Sequence, residues 1–215
     1  MSDEPEDDTE SIPSFGPAGG GGFDAMYAGT PPWDIGRPQP AFVQLADRGL
    51  VRGRVLDVGC GTGEHALMAS ALGLEATGID ASPTAIDLAK RKAQERRLEA
   101  RFILWDALEL PALAQRDGRF DTVLDCGLFH VFDDDDRAVY VRSLAAAIQP
   151  GGRYFMLCFS DRQPGGFGPR RVTQDEIRAS FAEGWLVESI EGAPLEITFG
   201  PAVLAWLAIV TPAEG

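Results

Sequence analysis

The residues best suited to chemistry stand where a short apolar stretch runs into a glycine-rich turn. Residues 55–58 are apolar except for Asp57, and glycines then occupy every second position at Gly59, Gly61 and Gly63. Glycine at such a turn lets the backbone approach a ligand that any Cβ would exclude. Because ligands of open α/β sheets bind at the carboxyl ends of strands, the pattern predicts a loop that binds a cofactor.

The charges beside this turn indicate which ligand it binds. A dinucleotide fingerprint, G-x-G-x-x-G, would place its third glycine where this chain has Glu64. A pyrophosphate prefers backbone amides and a helix N-terminus without nearby negative charge, so Asp57 and Glu64 are expected to repel it. A ligand with cationic groups is expected to be attracted instead. S-adenosylmethionine, which carries an ammonium and a sulfonium, is such a ligand.

Three further predicted strands end in polar residues that a nucleoside could use. Asp80 follows the second strand about 20 residues after the turn, where a carboxylate accepts both ribose hydroxyl hydrogens, although NAD sites share this spacing. Asp106 follows the third strand and is interpreted either as an adenine contact or as part of a solvated turn. The fourth strand ends in Asp125 and Cys126 and leads to His130, which would line the adenosine and the reacting methyl.

Several of these residues also have a structural interpretation. Asp57 and Asp80 could cap the loop or helix that follows each of them. His130, one of two histidines, could be a packed or surface residue rather than a catalytic base, and His65 inside the first helix is expected to be structural. Four consecutive acids at residues 133–136 lack the spacing of an oxygen-ligand loop and suit the positive end of a helix. No metal site is therefore predicted.

The elements that must position these residues alternate along the chain. Strands are predicted at residues 55–58, 75–79, 102–105, 120–126, 152–159, 186–191 and 197–209, the last interrupted around Gly200 and Pro201. Helices are predicted at residues 42–50, 62–72, 82–97, 135–148 and 174–181. Apolar strands that alternate with helices predict right-handed βαβ units and a doubly wound, mostly parallel α/β sheet with helices on both faces. The glycine- and proline-rich residues 162–171 are predicted to form a flap near the entrance to the site.

The amino-acid composition limits the classes of binding partner and indicates how the chain divides into a tail and a domain. The 215 residues carry 33 acidic and 19 basic side chains, a net charge of -14, which argues against nucleic acid and anionic membranes as partners. The acidic start is unlike a signal peptide, no apolar run is long enough to span a membrane, and three cysteines lack paired spacing, so a cytoplasmic protein is expected. Residues 1–22 are predicted to be a disordered tail and residues 23–215 one domain, with 23–52 as an N-terminal cap segment and 53–215 as the core.

Residues 55–63, 78–80, 120–123 and 149–152 together resemble the motifs of class I S-adenosylmethionine-dependent methyltransferases. The resemblance covers nearly everything from residue 23 onward. It implies a Rossmann-like sheet of seven strands in the order 3-2-1-4-5-7-6, with strand 7 antiparallel. It also implies S-adenosylmethionine as cofactor and methyl transfer by in-line displacement. The implied cofactor contacts are Trp33, Asp57, Gly59, Cys60, Gly61, Gly63, Asp80, Ala81, Asp106, Ala107 and Cys126.

Residues 30–37, TPPWDIGR, are similar to the amino-terminal segment of thiopurine methyltransferases and of the plant halide and thiol methyltransferases. This branch implies that Trp33 lies over the methionine end of the cofactor and that the small-molecule acceptor is a thiol or thiopurine sulfur. The alternatives are N- or O-methylation of a heterocyclic or phenolic natural product, and a non-catalytic protein that binds S-adenosylmethionine. A thiol is partly ionised already and can react without a dedicated base, whereas a phenol or hydroxylamine would gain from a base such as His130 or Asp125.

The acceptor side of the site is predicted from aromatic and basic residues near the expected entrance. These candidates are Tyr27, Phe129, Phe167 and Arg170. The chain departs from the thiopurine branch in the strand after the glycine turn and in the flap, so the identity of the acceptor does not transfer. The sequence does not distinguish a monomer from a homodimer.

Overall fold

Seven strands form one sheet in the computed structural model, which describes residues 21–166 and 168–213. The strands are β1 (Arg54–Val58), β2 (Glu75–Asp80), β3 (Ala100–Leu104), β4 (Phe120–Cys126), β5 (Ile148–Phe159), β6 (Trp185–Leu195) and β7 (Val203–Pro212). Their order is β3-β2-β1-β4-β5-β7-β6. Strands β1 to β5 pair in parallel, and β7 is antiparallel to β5 and β6. The predicted fold and strand order are confirmed.

Helices cover both faces of the sheet. They are α1 (Gly21–Met26), α2 (Pro40–Asp47), α3 (Glu64–Ala71), α4 (Pro83–Arg96), α5 (Leu110–Asp117), α6 (Asp134–Ala147) and α7 (Gln174–Ser180). The buried residues of α2, α3 and α4 share one apolar core, and those of α5, α6 and α7 share the other. No helix among the described residues is long and apolar enough to cross a membrane.

Local sequence features explain where several elements begin. Ser82 caps α4 by accepting the Ala85 N–H at 3.0 Å, and Pro83 follows at the first helical position. Asp133 caps α6 by accepting the Asp136 N–H at 2.9 Å. The acid run therefore serves the helix start, where negative charge is favourable. Both caps lie at the edge of the sheet that carries the predicted site.

The structure differs from the predicted elements at three places. Helix α5, which was not predicted, fully buries only Leu110 and Leu113, and two apolar positions do not define a period. The predicted strand at residues 197–209 is wrong in its first half, because residues 196–202 form a loop and the ladder between β6 and β7 closes at Leu195 and Val203. Helix α1 begins at Gly21, inside the predicted tail. Residues 1–20 of that tail lie outside the described residues.

Candidate active site

The glycine turn, residues 59–63, connects β1 to α3 at the carboxyl end of a central strand. Gly59, Gly61 and Gly63 have φ values of 65°, 53° and 87°, in the left-handed region that favours glycine. An ideal Cβ on Gly63 would lie 2.6 Å from the Phe102 ring, and one on Gly59 would lie 3.2 Å from the Leu128 side chain. Both the conformation and the space therefore require glycine, and the bare backbone forms a cradle for a ligand.

Asp57 lies beneath the turn with one oxygen satisfied and one not. Its Oδ2 accepts the Ala66 N–H at 3.1 Å, so it caps α3, as the structural interpretation held. Its Oδ1 is buried without a hydrogen-bond donor, and the His65 Nδ1 is 3.9 Å away. Burial is the main cause that raises the pKa of Asp57 to about 7, and the charges of Asp80 and Asp125 contribute to the same shift. A cofactor ammonium is the kind of donor that this oxygen lacks.

Asp80 ends β2 directly beside the turn. Its Oδ2 accepts the Gly61 N–H at 2.8 Å and its Oδ1 accepts the Ser82 N–H at 2.8 Å. Burial raises the pKa of Asp80. The carboxylate therefore fixes the turn against the start of α4, in the position from which we expect it to contact a ribose.

The remaining predicted cofactor contacts lie around the same strand ends. Asp106 Oδ1 accepts the Leu108 N–H at 2.9 Å and caps a short 3-10 turn, Ala107–Glu109, as its structural interpretation held. Ala107 is buried and Ala81 is exposed. Cys60 is buried and Cys126 half-buried, and burial raises the pKa of both free thiols. Neither cysteine is therefore ionised at neutral pH.

The cap segment, residues 23–52, folds back over the glycine turn. The Tyr27 hydroxyl would lie 3.0 Å from a Cβ on Gly61, and it accepts the Trp33 Nε1–H at 3.1 Å. Burial raises the pKa of Tyr27, so its phenol stays protonated. Asp34 Oδ2 accepts the Thr62 hydroxyl hydrogen at 2.9 Å. The two predicted aromatic residues therefore lie over the turn, with a carboxylate that the sequence analysis did not single out.

Glu64 has cationic partners that the sequence analysis missed. Arg96 donates to both of its oxygens, at 2.7 and 2.8 Å, and the Lys92 ammonium lies 2.8 Å from Oε1. Burial acts to raise the pKa of Glu64, but these hydrogen bonds outweigh it and the pKa is lowered. The expectation that Glu64 repels a pyrophosphate is therefore wrong, because its charge is neutralised by α4. Lys92 is one of two lysines in the chain, and its rarity was the signal in the sequence that could have indicated a cationic partner for Glu64.

His130 is a buried ring whose Nδ1 is already occupied by a backbone N–H. The ring is 5% exposed, and its Nδ1 accepts the Phe159 N–H at 3.0 Å. Burial lowers the pKa of His130 to about 3, helped by the charges of Arg137 and Arg171. The neutral ring therefore carries its proton on Nε2. The structure does not support the predicted catalytic role of His130 and favours the packed interpretation.

Asp125 is held by four donors. Its Oδ1 accepts the N–H groups of Leu128 and Phe129, at 2.8 and 3.3 Å. Its Oδ2 accepts the hydroxyls of Tyr140 and Tyr154, at 2.9 and 2.6 Å. The side chain is fully buried. The structure does not support the predicted role as a base, because the carboxylate oxygens already accept four hydrogen bonds, two from the loop after β4 and two from tyrosines.

Two of the predicted acceptor contacts, Phe129 and Arg170, have partners within the protein. Phe129 is fully buried in the apolar core, where it stacks on Phe181, and its contact with an acceptor stays a prediction. Arg170 is paired with Asp134, at 2.5 Å, and with Glu176, so its charge holds the flap to α6 and α7 and is not presented to a ligand. Phe167 lies outside the described residues.

A cleft opens beside the cap segment. One wall is formed by residues 34–37 and the other by the loop at residues 196–202. Asp34, Ile35 and Arg37 line the first wall, and Glu196, Ile197 and Thr198 line the second. Since Asp34 also binds Thr62, the first wall is connected to the glycine turn.

Comparison with known proteins identifies the family. The family model described as a methyltransferase domain matches residues 55–152. A 2-heptyl-1-hydroxyquinolin-4(1H)-one methyltransferase from Mycobacteroides abscessus is 39% identical over 172 residues, which cover 79% of this chain and 75% of the relative. The chain belongs to the S-adenosylmethionine-dependent methyltransferases. The glycine cradle and the unsatisfied oxygen of Asp57 fit that cofactor.

Two further similarities bear on the predicted branch. A solved structure from work on the conversion of a disulfide bond into a thioacetal group during echinomycin biosynthesis shares 41% identity, with a TM-score of 0.80. The match covers 88% of this methyltransferase and 91% of that chain. The probable thiol methyltransferase 2 of Arabidopsis thaliana is 28% identical over 165 residues, 73% of this chain and 69% of the relative. Identity to the quinolone methyltransferase is thus higher than to this plant thiol methyltransferase.

Proposed function

We propose that this methyltransferase acts on a small-molecule acceptor whose reacting atom is nucleophilic without a protein base. The proposal rests on the hydrogen bonding of the two predicted bases, which leaves neither of them free to accept a proton from an acceptor. Asp125 already accepts four hydrogen bonds, and His130 presents an N–H. General bases contribute about 10²–10⁴-fold to rates, so an acceptor that must lose a weakly acidic proton would be disfavoured.

The chain's own residues position the reactants and exclude water. When bound, S-adenosylmethionine supplies a methyl group on a positively charged sulfur, which becomes a neutral thioether after transfer. The acceptor atom forms its bond to the methyl carbon as the sulfonium bond breaks, and any acceptor proton leaves to water. Tyr27 and Trp33 cover the turn from the cap segment, and Asp57 and Asp80 hold the cofactor side. Such positioning supplies a large part of the rate of a displacement reaction.

A sulfur acceptor meets this requirement. A thiol with an ordinary pKa of about 8.5 is partly ionised at neutral pH. The segment TPPWDIGR, the plant thiol methyltransferase and the structure from echinomycin biosynthesis support sulfur. The second candidate is an N-hydroxy heterocycle, favoured by the 39% identity to the quinolone methyltransferase. We propose that either acceptor enters through the cleft between residues 34–37 and 196–202.

The test combines cofactor binding with an acceptor panel. Calorimetric titration with S-adenosylmethionine and S-adenosylhomocysteine is made first, on protein checked by mass spectrometry for a co-purified ligand. Turnover is then measured with an aromatic thiol, with 2-heptyl-1-hydroxyquinolin-4(1H)-one and with a simple phenol across a pH series. We expect turnover of the thiol or the N-hydroxy compound, at rates that follow the ionisation of the acceptor. Turnover of the phenol that is equally fast far below its pKa would refute catalysis without a base.

A further inference from the structure

Gln39 connects the glycine turn to the far wall of the cleft. It stands immediately before α2 and is 2% exposed. Its backbone N–H donates to the His65 Nε2 at 3.2 Å. Its side-chain Nε2 donates to the Glu196 carbonyl at 2.9 Å, and its Oε1 accepts the Glu196 N–H at 2.8 Å. One buried residue therefore holds the helix after the turn and the loop at residues 196–202.

The side chain of Gln39 is used for this connection and not for its own helix. The position before a helix usually holds Ser, Thr, Asp or Asn, whose side chain caps the first amides. Gln39 makes no side-chain cap to α2 and instead bonds a residue 157 positions away. A second bond, from the Thr198 N–H to the Pro32 carbonyl at 2.8 Å, fastens the same loop to the cap segment. The loop at residues 196–202 thus takes its position from the cap segment.

His65 extends the connection to the cofactor side. Because its Nε2 accepts a hydrogen bond, the neutral ring carries its proton on Nδ1, which lies 3.9 Å from the unsatisfied Oδ1 of Asp57. Burial lowers the pKa of His65 to about 4, so the ring is neutral at physiological pH. The Phe42 ring packs edge-on against the imidazole, with centroids 4.6 Å apart. His65 therefore lies between the acid beside the glycine turn and Gln39, which it contacts through the backbone N–H of Gln39.

We infer that Gln39 is a positioning residue that transmits cofactor occupancy at Asp57 to the loop at residues 196–202. The inference rests on the proposed function, since it requires the cofactor to bind at the glycine turn and the acceptor to use the cleft. It predicts ordered binding in which the cofactor sets the second wall of the cleft before the acceptor enters. Packed elements with two arrangements can carry such coupling between sites.

Hydrogen exchange with and without S-adenosylhomocysteine tests this inference. We expect the ligand to slow exchange at residues 196–204 of the wild-type protein by about fivefold or more, the range of ordinary site-to-site coupling. Gln39→Ala should still bind the ligand but lose this remote protection. Gln39→Glu, which keeps an acceptor for the Glu196 N–H, should retain part of it. Gln44→Ala, on the exposed face of the same helix, is the matched control and should behave as wild type.

The outcomes separate the inference from the proposed function. Protection of residues 196–204 that persists unchanged in Gln39→Ala would overturn the positioning role. Calorimetric binding of the ligand to the wild-type protein without any change in hydrogen exchange at residues 196–204 would also overturn the positioning role. Failure of the wild-type protein to bind either form of the cofactor would instead overturn the proposed function. A simple packing role for Gln39 would lower stability without altering the ligand-dependent difference in exchange.

Discussion

Replacing Asp57 by Asn should stabilise the cofactor-free protein while it weakens cofactor binding. Asp57 is 1% exposed, and its Oδ1 has no hydrogen-bond donor. Asparagine has nearly the same shape and keeps an oxygen for the Ala66 N–H, but it carries no charge. The substitution therefore removes the cost of burying a carboxylate and, with it, the group that we expect to attract the cationic cofactor.

The size of the effect follows from the pKa of Asp57, which rises from an ordinary 3.8 to about 7 in the folded chain. The folded state therefore holds this proton more tightly than the unfolded state, and the free energy of unfolding falls as pH rises through this interval. The full interval corresponds to about 4 kcal/mol at about 1.4 kcal/mol per pH unit. About 2 kcal/mol of this should be lost between pH 5.5 and 8.0, and Asp57→Asn should lose none of it.

Urea unfolding of the cofactor-free proteins at pH 5.5 and 8.0 measures this difference. Asp57→Asn should gain about 2 kcal/mol relative to wild type between the two pH values. Asp87→Asn, which changes an exposed acid on α4, is the matched control and should track the wild type. Calorimetry at pH 8.0 should show weaker binding of S-adenosylmethionine to Asp57→Asn by about tenfold or more. A stability difference between the two proteins that is the same at both pH values would refute the reasoning.

Three other substitutions test the site. Asp80→Ala should weaken S-adenosylhomocysteine binding by about a hundredfold, since hydrogen bonds to charged groups contribute about 1.5–3 kcal/mol each; unchanged calorimetric affinity in a folded protein would contradict the ribose assignment. Lys92→Met removes one partner of buried Glu64 and should lower the free energy of unfolding by about 1–3 kcal/mol, whereas the same change at exposed Lys90 should cost less than about 0.5 kcal/mol in urea unfolding. His130→Asn should keep kcat within about fivefold of the wild-type value. A loss of about 10²-fold or more would instead support His130 as a general base.

The central strands could be predicted because they are buried on both faces. Residues 55–58 are apolar except for Asp57, and residues 120–126 include Phe120, Val123, Leu124 and Cys126; both segments end at turn residues, which is typical of buried parallel strands. The pairing of β7 between β5 and β6 came from the family resemblance, since no local pattern encodes which strands become neighbours. Helix α5 was missed because a single buried turn leaves too few apolar positions to define a period.

The strand-end acids could also be located from the sequence, but their partners could not. Glu64 was expected to act as a free charge, yet its partners Lys92 and Arg96 stand 28 and 32 residues away on α4. Asp125 was expected to be available as a base, yet tyrosines from α6 and β5 occupy it. A charge pattern along the chain does not predict which distant side chains will come into contact. These contacts decide whether an acid is a free charge, is neutralised by a cation or has all its acceptor positions occupied.

The corrected charges at the turn still favour a cation, for a reason that also bears on turnover. With Glu64 neutralised, the strands beside the cradle still carry Asp57 and Asp80, and burial strengthens the interaction of these acids with any charge that enters. The cofactor enters with a cationic sulfur and leaves as a neutral thioether, so these acids attract the reactant more than the product. As pH rises and Asp57 ionises, the ratio of S-adenosylmethionine to S-adenosylhomocysteine affinity should therefore increase. Paired calorimetric titrations between pH 6 and 8 measure this ratio, and one that stays constant would place the sulfur beyond the reach of Asp57.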